Sequence, residues 1–206
     1  MEYLSPASDS VSIRYSQKLC GILPMGKNEM TEMPDADVVA PAFNVLFLCT
    51  QNSARSIMAE AILEKIGRGK FRAYSAGSEP AQAPLPEVLE RLRHLGHDVE
   101  HFRSKSLEEF TGPQAPRMDF VIALCDTPQG QFCPDLGTKF ATGAWPVPDP
   151  AQFTGSASER TTLLNELYAM IRRRLEIFIS LPFASLDRMA LKARLDEIGD
   201  TNRVLP

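Results

Sequence analysis

Two spacings of apolar residues alternate along the chain from Phe43 onward. Asn44–Leu48 is a short, nearly continuous apolar run, the pattern of a central parallel strand. Met58, Ala61, Ile62, Lys65 and Ile66 then fall on one helical face, and Gly67 and Gly69 end that helix. Arg72–Ala76 reads as a second strand closed by Gly77. Pro86 opens a helix whose inner face is Val88, Leu89, Leu92 and Leu95, with Gly96 as its stop. Met118–Leu124 is a third strand, and a loop from Cys125 to Gly143 follows it. Ala144–Val147 reads as a short fourth strand that ends at Pro148-Asp149-Pro150. Ser156 and Glu159 have capping-box spacing. They open a long helix with Leu163, Leu164, Leu167, Met170, Ile171, Leu175 and Phe178 turned inward, stopped by Pro182. Leu186–Ile198 is one more helix. This alternation predicts an α/β fold, a doubly wound, four-stranded parallel sheet flanked by helices.

Three regions follow from the pattern. Residues 1–42 are rich in Ser, Pro, Asp and Met with no sustained period, and are expected to be a disordered extension. Residues 43–182 carry the strand–helix alternation and form the candidate catalytic domain. Residues 183–206 are expected to be a helical appendage. With 206 residues the chain is long enough to bury a sizeable core. Its net charge of −4, from 22 basic and 26 acidic residues, argues against a general nucleic-acid binder. Arg172-Arg173-Arg174 is the compact basic run. It lies in a helical pattern and reads as a solvated face. No stretch approaches the roughly eighteen apolar residues of a membrane span. The N-terminus lacks the basic-then-apolar order of a signal peptide. A cytoplasmic location is the expectation, and there four cysteines point to catalysis or redox chemistry before structural bridges.

Chemistry concentrates where the first strand ends, in Cys49-Thr50-Gln51-Asn52-Ser53-Ala54-Arg55-Ser56. A loop between a strand end and a helix start turns backbone N–H groups inward, and the helix dipole adds positive potential. That arrangement holds an oxyanion and suits Cys49 to act as a thiolate nucleophile. Arg55 supplies a planar fork for two oxygens of a phosphate-like ion. Asn52 and Ser53 can hydrogen-bond across the loop and hold its shape. The alternative is a buried inert cysteine beside a surface arginine.

Asp149, stiffened between two prolines, is a candidate general acid, or a plain turn aspartate. Cys125 and Cys133, on the loop after the third strand, suggest a relay in which Cys125 attacks a Cys49 adduct and Cys133 resolves the product. The alternative is two unrelated thiols. Cys49, Cys125 and Asp149 each follow a strand end, so one cleft can gather all three. His94, His97 and His101 read as a surface helix end, and no metal site is expected. Trp145 is read as core, with a cleft wall as the other option.

Val45-Leu-Phe-Leu-Cys49-Thr-Gln-Asn-Ser-Ala-Arg55-Ser56, Tyr74-Ser-Ala-Gly77-Ser78 and Pro148-Asp149-Pro150 resemble the low-molecular-weight protein tyrosine phosphatase superfamily. Cys125 and Cys133, together with Pro148-Asp149-Pro150-Ala151, resemble its arsenate reductase branch. So does the tail Ser185–Gly199. Gln51 stands where the family usually has glycine, and Ala54 where many members carry a second loop cysteine. The resemblance implies a three-cysteine arsenate reductase. Cys49 would attack arsenate, Cys125 would release arsenite, and Cys133 would pass the disulfide on. Thr50, Gln51, Asn52, Ser53, Ala54, Arg55 and Ser56 would bind the oxyanion, with Ser56 steadying Cys49 and Asp149 protonating the leaving hydroxide. No tightly bound cofactor is implied; an external thiol reductant is, either thioredoxin or a glutathione–glutaredoxin system. The alternative is a protein tyrosine phosphatase that uses Cys49, Arg55 and Asp149 alone. A non-catalytic oxyanion sensor is a third reading, one with no use for a nucleophile and an acid.

Overall fold

A computed structural model describes residues 42–125 and 140–201. The extension expected over residues 1–42 lies, but for its last residue, outside the described residues. So does Cys133.

Four parallel strands form one sheet in the order β2-β1-β3-β4: β1 Phe43–Cys49, β2 Phe71–Gly77, β3 Phe120–Ala123 and β4 Ala141–Ala144. The helices are α1 Arg55–Ile66, α2 Pro86–His94, α3 Ala157–Ile179 and α4 Arg188–Asp200. From β1 the chain first moves outward to β2, then returns to the opposite side for β3. The reversal places a crevice between the carboxyl ends of β1 and β3, where ligands of open α/β sheets bind. Cys49 closes β1, and Cys125 follows two residues after β3.

Side chains alternate across β1. Val45 and Phe47 join one core with buried residues of all four α-helices. Leu46 and Leu48 face the other way and cluster with Ala76, Met118 and Val121, flanked by Leu107 and Phe110 of a 3₁₀ turn. Every residue of β1 from Val45 to Cys49 is therefore buried, as its apolar run requires.

Several expectations shift. The first helix is not one-faced. Arg55 through Leu63 are all buried, whereas Lys65 is exposed. The fourth strand is Ala141–Ala144, three residues earlier than the apolar pattern suggests. The N–H groups of Trp145 and Val147 still donate to Ala123 and Leu124 of the β3 segment. Pro146 and Pro148 occupy the alternate positions, whose missing N–H groups would face away from β3 at the sheet edge. The apolar pattern found the pairing and missed the regular strand, because Ala141-Thr-Gly-Ala144 carries little strand signal.

The final helix packs into the core. Leu195, Ile198 and Gly199 of α4 are buried, and a Cβ on Gly199 would run into the Ala144 carbonyl. Trp145 is fully buried and donates its indole N–H to the Leu195 carbonyl at 2.8 Å, so it is a core residue. Arg174 departs from the solvated reading of the basic run. It is buried and donates to the carbonyls of Pro146 and Gly199 at 3.0 and 2.9 Å. Arg172 does stay on the surface, paired with Glu176. His97 is likewise buried rather than superficial. Its Nδ1 lies 3.1 Å from the Ala61 carbonyl, and its Nε2 lies 2.8 Å from the Tyr168 hydroxyl. A carbonyl only accepts, so Nδ1 carries the proton, and burial followed by nearby Lys65 holds the ring's pKa below its ordinary value. Among the described residues there is no group of histidine, cysteine and carboxylate side chains arranged to hold a metal, and no helix long and apolar enough to cross a membrane.

Candidate active site

The loop from Cys49 to Ser56 is built around its carbonyls. Those of Cys49, Thr50, Gln51 and Ser53 accept backbone N–H bonds from Ser78, Glu79, Ala81 and Leu85. The Asn52 carbonyl accepts from Ser104 Oγ, and that of Ala54 from Met58 N–H in the first turn of α1. All six carbonyls are thus occupied, and the amides are the polar groups left to meet an anion. The α1 N-terminus matches this. Ala54 occupies the cap position, no side chain caps the helix, and the first turn holds no acidic residue. A buried helix start without a cap leaves donors unsatisfied, the setting in which helix N-termini accept anions.

Asn52 shapes the loop. Its φ of 47° lies in the left-handed region, which asparagine tolerates better than most residues. Its N–H reaches Cys49 Sγ at 3.2 Å. Its amide group donates to Ser56 Oγ and Ser75 Oγ, both at 2.8 Å, and its Oδ1 accepts from Lys105 N–H at 2.7 Å. Ser75 passes its proton toward Glu60 Oε2 at 2.5 Å, and Lys105 Nζ pairs with both Glu60 oxygens at 2.8 and 2.7 Å. A buried carboxylate needs such pairing to stay in place. At the other end Ser56 Oγ lies 2.9 Å from Cys49 Sγ. A hydrogen-bonded line therefore runs from Lys105 and Glu60 through Ser75, Asn52 and Ser56 to the sulfur. Gly77 lies close under the loop: a Cβ there would sit 2.5 Å from the Thr50 carbonyl oxygen and 2.9 Å from Asn52 N.

The remaining candidates come from other elements. Arg55 and Asp149 form a 2.8 Å ion pair through Nη2 and Oδ2, with side chains 6 % and 18 % exposed. Asp149 also caps a 3₁₀ turn, Pro150–Gln152, by accepting the Ala151 N–H at 3.1 Å. Asp149 is thus a turn residue that also faces Arg55. Cys125 Sγ lies 3.7 Å from Thr50 Oγ1, so the second thiol meets the residue next to Cys49. Burial pushes the Cys125 thiol pKa up; the Thr50 hydroxyl and Arg55 act in the opposite direction. Cys49 and Cys125 are both free thiols.

The structure thus brings Cys49, Arg55, Ser56, Asp149 and Cys125 to one crevice. Thr50, Asn52, Ser53 and Ala54 lie on its loop; Gln51 is exposed there and its Oε1 accepts weakly from Ser53 Oγ at 3.5 Å. Sequence reasoning missed Glu60, Lys105 and Ser104. Glu60 gave the one usable signal, a carboxylate one helical turn after Ser56 on an otherwise apolar segment.

The family model for low molecular weight phosphotyrosine protein phosphatases matches residues 44–191. The arsenate reductase of Oceanobacillus iheyensis is 31 % identical over 134 residues, covering 65 % of this chain and 93 % of that protein. That of Bacillus subtilis is 28 % identical over 134 residues with the same coverage. Among solved structures, an arsenate reductase in the phosphate binding state superposes with a TM-score of 0.56 at 25 % identity, over 67 % of this chain and 97 % of that one. An arsenate reductase in the intermediate state gives 0.53 at 27 % identity, with the same coverage. The uncapped oxyanion loop, the parallel sheet that carries it and these matches lead to one conclusion: the chain belongs to the low molecular weight phosphotyrosine protein phosphatase family, in its arsenate reductase branch.

Proposed function

We propose that the chain is a thiol-dependent arsenate reductase. The observation that carries this reading is the second thiol, Cys125, against Thr50 beside the nucleophile loop. Phosphoester hydrolysis through Cys49 has no use for it. The reading is supported further by relatives named arsenate reductase that are covered over most of their length.

In this reading the loop amides and the Arg55 fork bind arsenate. Cys49 Sγ attacks arsenic as an S–As bond forms and an As–O bond breaks. The departing hydroxide takes a proton from Asp149 and leaves as water. Cys125 thiolate then attacks Cys49 Sγ. The S–S bond forms, the S–As bond breaks, and its electron pair stays on arsenic, which leaves as arsenite. Two thiol sulfurs are oxidised by one electron each, and arsenic(V) gains two electrons to become arsenic(III). Cys133 attacks Cys125 Sγ, frees Cys49 as thiolate and leaves a Cys125–Cys133 disulfide. An external dithiol of the thioredoxin type, or a glutathione–glutaredoxin system, returns it to two thiols. No metal or bound cofactor enters any step.

Purified protein tests this directly. Arsenate reduction is followed with and without thioredoxin, beside hydrolysis of a chromogenic phosphate ester. Reduction that depends on the dithiol and outpaces hydrolysis is the expected result. Hydrolysis without reduction would move the assignment to the phosphatase.

A further inference from the structure

Asp149 sits on a turn that a second arginine holds. Arg160 stands in the first turns of α3, outside the oxyanion loop. Its Nη1 donates to the Pro150 carbonyl at 2.8 Å, and its Nη2 reaches the Phe153 carbonyl at 3.5 Å. Pro150 opens the 3₁₀ turn that Asp149 caps, and Phe153 closes it. The same Nη1 pairs with Glu87 Oε1 at 3.3 Å. Glu87 lies in the first turn of α2, two residues after Leu85, whose N–H holds the Ser53 carbonyl of the oxyanion loop. One guanidinium thereby ties both ends of the Asp149 turn to the segment that supports the loop.

We propose that Arg160 is a positioning residue for the general acid, fixing the Asp149 turn against the oxyanion loop during turnover. The proposal rests on the reading of Asp149 as that acid. Arg55 holds Asp149 itself. That tie cannot last through the reaction. Arg55 must turn its fork to the oxyanion, and Asp149 must carry a proton to donate, which removes the charge that Arg55 grips. Arg160 has no such double duty. Its partners on the turn are main-chain carbonyls, which keep their geometry whatever the protonation of Asp149. A planar fork spanning two carbonyls fixes the rotation of the turn as well as its distance. A lysine offers a point charge and cannot do so.

The test is a double-mutant cycle between Arg160→Ala and Asp149→Asn in the full chain, with arsenate reduction as readout. Arg160→Ala is expected to lower kcat about tenfold with KM changed by no more than about twofold, because acid placement acts on the chemical step. On the Asp149→Asn background it should cause no further loss. Equal losses on both backgrounds would show that Arg160 supports only the fold and would overturn the proposal. If Arg160→Ala unfolds below assay temperature, Arg160→Lys carries the same cycle, since it keeps the charge beside Glu87 and loses the fork. An Asp149→Asn variant with wild-type turnover would instead remove the acid, and Arg160's role with it. That failure is read on the single mutant alone.

Discussion

The two halves of the crevice are built from different parts. On the β1 side, Cys49 rests in a loop whose carbonyls are all engaged and whose central residue, Asn52, makes side-chain bonds to Ser56, Ser75 and Lys105. On the β3 side, Cys125 meets Thr50, whose hydroxyl lies 3.7 Å from its sulfur and whose backbone also bonds it. The difference follows the chemistry each half performs in the proposed reaction. Binding an oxyanion and attacking it needs donors fixed in advance. Thiol exchange needs one sulfur to approach another and then depart, and a heavily bonded thiol would resist both.

The comparison breaks first at the nucleophile. Cys49→Ser should cost about a thousandfold or more in arsenate reduction, while phosphate still binds, because the amides and Arg55 remain. Turnover within about tenfold of wild type, measured beside phosphate affinity by calorimetry, would sink the assignment. Arg55→Lys should cost more than its conserved charge suggests. A bidentate charge-assisted contact is worth about 1.5–3 kcal/mol, which is about 10- to 150-fold in kcat/KM. Near-wild-type kcat/KM in this variant would mean that Arg55 is not an oxyanion ligand.

Crowding the loop from below gives a smaller effect. Gly77→Ala places a Cβ against backbone of Thr50 and Asn52 that can yield only by moving the loop. Its expected effect is about tenfold weaker phosphate binding and about 1–3 kcal/mol of lost stability. Gly112→Ala, which meets no atom within 4 Å, is the matched control and should change neither phosphate affinity nor Tm. Unchanged phosphate affinity in Gly77→Ala would show that the loop tolerates displacement. The Cys125 half has its own signature in pH. Burial raises the Cys125 pKa, so near neutral pH this residue is a thiol and its reactive thiolate is scarce. Raising pH increases the thiolate fraction. Arsenite release in a single turnover should therefore quicken by about tenfold per pH unit until Cys125 titrates. A flat profile across pH 6–8 would place another step in control.

How much of this the sequence disclosed depends on the range of the interactions. The loop was legible because its signal is local: an apolar run, Cys49, Arg55 six residues on, and a helix pattern behind them. Most of the sheet was legible for the same reason, since β1 and β3 carry dense apolar runs, while β2 showed mainly through its alternation and the closing Gly77. Lys105 and Ser104 were not legible. They reach Asn52 across more than fifty residues and lie in a segment without regular pattern. Arg174 and His97 misled because a charged residue on a helix face, or a histidine just past a helix end, is normally solvated; here carbonyls or a hydroxyl from other elements meet each of them. The α4 helix read as an addition because its few buried residues, Leu195, Ile198 and Gly199, make a narrow stripe whose partner is the distant β4 edge. The Pro148-Asp149-Pro150 motif singled out Asp149 but could not reveal that Arg55 is its partner, ninety-four residues away in sequence.

The relay itself is tested most directly by mass spectrometry of single-turnover products from Cys133→Ser and Cys125→Ser. The account predicts one arsenite per enzyme from Cys133→Ser and a trapped Cys49–Cys125 disulfide. Cys125→Ser should yield neither that disulfide nor arsenite unless an outside thiol attacks the Cys49 adduct. Multiple turnovers by both variants with thioredoxin as sole reductant would contradict it.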